Sequence, residues 1–298
     1  METRGVSLIH TSQGGIPLDQ YLAANPLDAS ANQDVLLLKV LDPSPQPVVG
    51  DLYFEVHEEK QEVYVVSHVH ESAWPDGKGA IRFGMNQMKR AEFDNDDAFC
   101  AAYLAKVKAY EALRRQIDAG NKSADLQEQE VRARHDMEQF TSMSQLDVGD
   151  VVQVPTWTPH SLQHGVRVVE FQTPTYERFI VSFAQKVLTQ DHWDTDHAVA
   201  NMHLDTPATA DLIPVQPGVE QIAKFSDFNV WRIDHNLAPT LTLPDHIPYA
   251  VCMSLTNACI ADLQVSTEEA CFVPHGAIRS GTSLSAEHGH TLLAAPGL

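Results

Sequence analysis

Apolar and polar residues alternate with a period of two through residues 51–66, where Leu52, Phe54 and Val56 are followed by Val63 and Val65. That spacing is the signature of half-buried strands, and the Glu58-Glu59-Lys60-Gln61 centre between the two runs predicts a hairpin turn. Residues 35–41 form a continuous apolar run of strand length, which predicts a buried strand, and 80–86 reads as another. Between 90 and 140 the period becomes helical: Phe99, Ala102, Tyr103, Val107, Tyr110 and Leu113 recur on one face. Gly120 to Ser123 break that helix, and a second, charge-rich one is expected over 124–138. Its neighbours Arg114 and Arg115, with Arg132 and Arg134, alternate with acids and read as a solvated face. Alternation with β-branched and aromatic residues returns over 166–183, and from 215 onward short strands follow one another between turns. A short helix between Pro17 and Pro26 and a helix start near Asp194 complete the pattern. The chain is therefore expected to be mainly β, with a helical hairpin inserted between two strand pairs.

The length, 298 residues and 33.0 kDa, allows one large domain or two small ones, and 43% hydrophobic residues suffice for a packed core. Lys and Arg number 20 against 40 Asp and Glu, a formal charge of −20. A chain this acidic repels nucleic acid and anionic membrane surfaces, so neither is an expected partner. Cys100, Cys252, Cys259 and Cys271 show no C-x-x-C spacing, which argues against a zinc ribbon or a redox motif. Free thiols, the absence of a signal-peptide pattern and the absence of a membrane-length apolar run point to the cytoplasm.

Candidate chemistry gathers in two stretches. Glu55 and His57 are two apart, so on one strand they share a face, and Glu62 can return to that face across a short turn. The second stretch runs from Gly149 through a corner at Pro155 to His160 and His164. Two histidines and two carboxylates brought together from neighbouring strands suit a divalent metal. His68 and His70 read as a solvated loop rather than a second metal site. The His/Asp-rich segment 190–214, with His192, Asp194, Asp196, His197 and His203, fits a capped helix start better than a metal cluster.

Together the two stretches resemble the two cupin motifs, H-x-H…E and G-x-x-x-x-x-P-x-G-x-x-H-x-x-x-N. Glu55 stands at the first histidine, and His57, Glu62, Gly149, Pro155 and His160 fit; Trp157 replaces the middle glycine and His164 the asparagine. Further stretches are similar to the type I mannose-6-phosphate isomerases. These are the apolar run ending at Asp42, Lys60 to Val66, Ile81 to Asn86, Val169 to Gln172, and Tyr176 to Arg178. Val230 to Ile233 and Phe272 to Ala295 are similar to the start and end of the family's C-terminal barrel. The resemblance covers most of the chain and implies two cupin (jelly-roll) β-barrels. A metal-binding domain would occupy 1–195, with the helical insertion at about 90–140, and a metal-free domain 196–298.

The resemblance also implies one divalent metal, zinc in the first instance with Fe2+ or Mn2+ as alternatives, held by Glu55, His57, Glu62 and His160. Lys60 and Arg178 match active-site cations of the family, with Lys78, Arg82 and Lys89 as candidate phosphate partners. The expected activity interconverts mannose 6-phosphate and fructose 6-phosphate, or a related sugar, through a cis-enediol. Glu170 or a metal-bound water is the candidate base. Four departures bear on this: Glu55 replaces the family's glutamine, the loop between His57 and Glu62 is shorter, the N-terminal W-G-G-type segment is missing, and Tyr176-Glu177-Arg178 lacks the family's preceding aspartate. Two other functions use the same residues, an iron-dependent cupin oxygenase and a non-catalytic sugar-binding cupin. The sequence does not set the oligomeric state.

Overall fold

The computed structural model describes residues 7–11, 14–25, 27, 35–260 and 262–297. It is mainly β, with several antiparallel sheets. Contacts divide the chain into two compact units, one made of residues 39–170 and 175–209, the other of 1–38, 171–174 and 210–298. The expected boundary at 195/196 falls at the first residue of helix Thr195–Asn201, which lies in the first unit. No helix of the described residues is long and apolar enough to cross a membrane.

In the first unit, apart from residues 37–38 and 171–172 at two strand ends, a four-stranded sheet has the order Leu37–Leu41, Val166–Gln172, Glu62–Val69, Val151–Val154. A five-stranded sheet runs Phe179–Ser182, Phe54–Val56, His160–Leu162, Gly79–Met85, Thr141–Leu146. Tyr64, Val66, Val152, Val154 and Val168 from the first sheet meet Ile81, Leu146 and Leu162 from the second in one buried cluster. The period-2 alternation thus supplies an inner face to each sheet. Two expectations change here. Phe54–Val56 and Glu62–Val69 are not a hairpin, because each pairs within a different sheet and the segment between them crosses from one to the other. The apolar run at 35–41 forms an edge strand whose Leu37 is 41% exposed, so it is not buried.

The helical insertion leaves from Gly79–Met85 and returns into Thr141–Leu146, and these two strands pair with each other from Gly79↔Leu146 to Met85↔Thr141. Helix Asp96–Asp118 starts where the Asn95 side chain accepts from the Ala98 N–H at 2.9 Å, and helix Ala124–Glu138 where Ser123 accepts from Leu126. Phe99, Tyr103, Val107 and Tyr110 are fully buried, packed with Phe54, Val56, Ile180 and Phe140. Each such side chain contributes about 1.5–3 kcal/mol of apolar burial, which fixes the hairpin on the sheet. Arg114 and Arg134 are not on the solvated face expected for them. Both turn toward buried Glu130, which also accepts from the Tyr110 hydroxyl at 3.0 Å.

The second unit pairs a six-stranded sheet with a four-stranded one. The larger runs Ile213–Gln216, Val219–Lys224, Phe228–Asp234, His290–Pro296, Tyr249–Ser254, Ala270–Pro274. The smaller runs Thr240–Thr242, Ser283–Ser285, Ala258–Ile260, Leu263–Val265. Ile233, Cys252 and Leu293 pack against Ile260, Val265 and Leu284 between them. The amino-terminal helix Leu18–Ala24 belongs to this unit, with Tyr21 edge-on to Phe272 at 6.4 Å.

Candidate metal centre

The crossing segment between the two sheets of the first unit builds the site. Glu55 lies directly opposite His160 on the neighbouring antiparallel strand, and His57 follows Glu55 by two residues. One oxygen or nitrogen from each of Glu55, His57 and His160 falls within 4.8 Å of the others. Glu62, at the start of the facing sheet, places its carboxylate 3.3 Å from His160 Nε2 and 3.6 Å from His57 Nε2. The four residues implied by the resemblance are therefore brought together, although 55 and 62 reach the site from different sheets.

The donor set fits a divalent cation. His57, Glu62 and His160 are at most 2% exposed, and His57 Nε2 and His160 Nε2 are buried with no hydrogen-bond partner. His160 Nδ1 lies 2.9 Å from the Thr158 carbonyl, to which it donates; the proton there leaves Nε2 as a lone pair facing the site. Burial holds His57 well below the ordinary imidazole range, against the pull of Glu62, so it is neutral and able to ligate. Burial also works against the charge of His160, but the facing Glu62 carboxylate, 3.3 Å away, raises this imidazole overall.

Each carboxylate around this centre has a basic partner. Lys60, only 5% exposed, sits with Nζ 2.5 Å from Glu62 Oε1, and the Tyr64 hydroxyl donates to Glu62 Oε2 at 2.6 Å. Burial disfavours the Glu62 anion, yet Lys60 and the histidines hold its carboxyl well below the usual range. Burial likewise opposes the Lys60 charge, but Glu62 raises it. Arg178 Nε lies 2.7 Å from Glu55 Oε2, and its guanidinium covers the Tyr53 ring at 4.6 Å. Lys39 donates to Glu170 at 3.1 Å. Burial, then the charge of Glu62, push Glu170 up to about 7. A cavity of about 180 Å³ is lined by these groups, among them Lys39, Glu55, Lys60, Glu62, His160, Glu170 and Arg178.

Sequence reasoning placed Lys60 and Arg178 at this cavity. Arg178 reaches it through its pair with Glu55. Lys78, Arg82 and Lys89 do not line the cavity; they pair with Asp147, Glu138 and Glu92. His164 pairs with Asp51 at 2.6 Å and stacks on Trp74, and His70 pairs with Asp42. Asp194 stands at the start of its helix without capping it, because its carboxylate accepts from Ile180 N–H and Gln190 instead. Lys39 and Tyr64 were missed. A lysine inside an apolar strand is the signal that could have found the first.

Trp157 occupies the left-handed region at φ 57°, where a Cβ costs about 1–2 kcal/mol. Its N–H donates to the His57 carbonyl at 2.6 Å, and its ring stacks on Phe179 at 5.8 Å. The tryptophan thus keeps the backbone turn that glycine would make and ties it to the ligand loop.

No protein-family profile matches the sequence, and no curated protein does. Solved structures do match. The fold and site define a mainly β protein with a histidine–carboxylate centre at the junction of two sheets. It has the fold of the phosphomannose isomerases. A zinc-bound mannose 6-phosphate isomerase superposes with a TM-score of 0.69 at 15% identity, over 98% of this chain and 88% of that one. A mutant phosphomannose isomerase from Salmonella typhimurium gives 0.68 at 15% identity, over 98% and 88%. A mannose 6-phosphate isomerase bound with zinc and yttrium gives 0.69 at 14%, over 96% and 87%.

Proposed function

We propose that this chain is a metal-dependent aldose–ketose isomerase of the mannose-6-phosphate isomerase family, acting on mannose 6-phosphate and fructose 6-phosphate or a related sugar. The observation that carries the reading is the cluster of Glu55, His57 and His160, with buried imidazole lone pairs, in this fold. Glu62 completes the ligand set in our reading, and zinc is the first choice of ion. A divalent cation bound there supplies a Lewis acid for the sugar oxygens.

The chain's own residues supply the proton chemistry. Glu170, pushed up to about 7, is suited to take the proton from C2 and return it to C1. The C1 carbonyl becomes a hydroxyl as the C2 hydroxyl becomes a carbonyl, so no redox partner is needed. Lys60 and Arg178 hold Glu62 and Glu55 in place and set the positive field in which the enediol oxygens develop charge. The buried wall of Tyr64 and Leu162 excludes water from one side of the cavity.

The test is metal analysis of the purified chain followed by a coupled assay from mannose 6-phosphate to fructose 6-phosphate. One zinc per chain with turnover supports the reading; no retained metal after reconstitution overturns it. A second reading draws on the composition of the cluster itself. Two histidines and one carboxylate are also the facial set of non-haem iron oxygenases. Iron retention with oxygen consumption, and no isomerisation, would decide for it.

A further inference from the structure

The segment that crosses between the sheets, from His57 to Glu62, carries two of the proposed ligands at its ends. It has little secondary structure of its own, so something must hold it. The Glu177 carboxylate accepts from three consecutive backbone amides of this segment. Glu58 N–H donates to Oε1, and Glu59 and Lys60 N–H donate to Oε2 at 2.7 and 3.1 Å. Three successive amides aimed at one point form an anion-binding concavity, here filled by a side chain of the same molecule. The next residue, Arg178, grips Glu55. Two adjacent side chains on one strand approach therefore hold the loop on one side and a ligand on the other.

A free anion is a poor alternative occupant. Glu58 and Glu59 flank the concavity and are exposed, so the local field repels phosphate. Without Glu177 the three amides lose a charge-assisted acceptor and the loop loses the contact that selects its conformation.

We infer that Glu177 is a positioning residue of the metal centre: its carboxylate, captured by the amides of Glu58, Glu59 and Lys60, sets the loop so that His57 and Glu62 present their ligand atoms to one ion. The inference rests on the reading that this site holds a metal. Its test is a Co2+ titration of the full chain, read by ligand-field absorption and by competition with a chelator, for wild type, Glu177→Gln and Glu177→Ala. Glu177→Ala should bind Co2+ about 10–100-fold more weakly, the range found when outer-shell partners are removed, and with an altered spectrum. Glu177→Gln, which keeps one acceptor oxygen, should fall between them. If Glu177→Ala does not fold, the same measurements on Glu177→Gln decide. Wild-type affinity and spectrum in the variants, with normal uptake by wild type, would overturn the role of Glu177 alone. Failure of wild type to bind Co2+ would overturn the metal reading and this inference with it.

Discussion

Lys60→Met tests the electrostatic frame of the centre. The substitution keeps most of the side-chain volume and removes the ammonium 2.5 Å from Glu62 Oε1, at a position where both partners are buried. Removing one partner of a buried ion pair costs about 3–5 kcal/mol, because the other charge remains in a poorly solvated place. Glu62 keeps the Tyr64 hydroxyl at 2.6 Å and His160 at 3.3 Å, which offset part of that loss. The lower end, about 3 kcal/mol, is therefore expected for the metal-stripped protein. For a domain of this size that lowers Tm by about 6–12 °C. Urea denaturation of the metal-stripped chain measures it directly. Adding Glu62→Gln to Lys60→Met removes the stranded charge and should recover most of the loss. Saturating Zn2+ should also narrow the gap, since the ion replaces the missing counter-charge. A Lys60→Met protein within about 0.5 kcal/mol of wild type, the ordinary range of surface substitutions, would refute the reasoning. So would a double variant no more stable than the single one.

Trp157 predicts an inversion of the usual order of small residues. Glycine relieves the left-handed backbone that alanine retains, so Trp157→Gly should be more stable than Trp157→Ala by about 1 kcal/mol in chemical denaturation; the reverse order would show that the conformation is not held once the ring is gone. His235 gives a pH dependence in the second unit. It is buried, with Nδ1 at the Ala238 carbonyl and Nε2 at the Thr291 hydroxyl, and burial lowers its pKa. The unfolded chain then binds the proton first, so stability is lost as pH falls below about 6.5, with a slope of at most about 1.4 kcal/mol per pH unit. Melting curves of His235→Gln should show a flatter acid limb, and an unchanged slope would exclude His235 as its source. Glu55→Gln removes the negative charge 2.7 Å from Arg178 and should tighten binding of a sugar phosphate several-fold by calorimetry; unchanged affinity would mean that the charge of Arg178 does not reach the ligand.

The elements were largely legible because their periods are local properties. Phe99, Tyr103, Val107 and Tyr110 lie fully buried on one side of helix Asp96–Asp118, as helical spacing requires. The pairing of Glu55 with His57 on one face follows from strand geometry in the same way. Pairing between distant strands is not local. Nothing in the alternation of 51–66 distinguishes a hairpin from a crossing between two facing sheets, since both keep the same period. The opposition of Glu55 and His160 is a register fact, and motif resemblance rather than periodicity brought those residues together on paper. Charged residues were misread for a related reason. Arg114 and Arg134 alternate with acids like a solvated face, but their shared partner Glu130 is buried under the helices, and composition carries no sign of that. Lys39 was hidden by an apolar run whose strand lies at a sheet edge.

The charge arrangement of the cavity bears on what it can bind. Glu55 has Arg178 at 2.7 Å, Glu62 has Lys60 at 2.5 Å and Glu170 has Lys39 at 3.1 Å. Three carboxylates are thus matched by three cations, and the buried His57 is neutral. With these ionic groups balanced, the cavity holds no surplus of lysine or arginine for an anionic ligand, and a divalent ion held there would supply that attraction. The balance is least complete at Glu170. Burial and the charge of Glu62 outweigh Lys39 and push its carboxyl up to about 7, whereas Glu62 is held well below the usual range. Two carboxylates in one cavity are driven apart in proton affinity, one fixed as an anion and one able to exchange a proton near neutrality. That separation is what a site needs to hold a cation with one carboxylate and move a proton with the other.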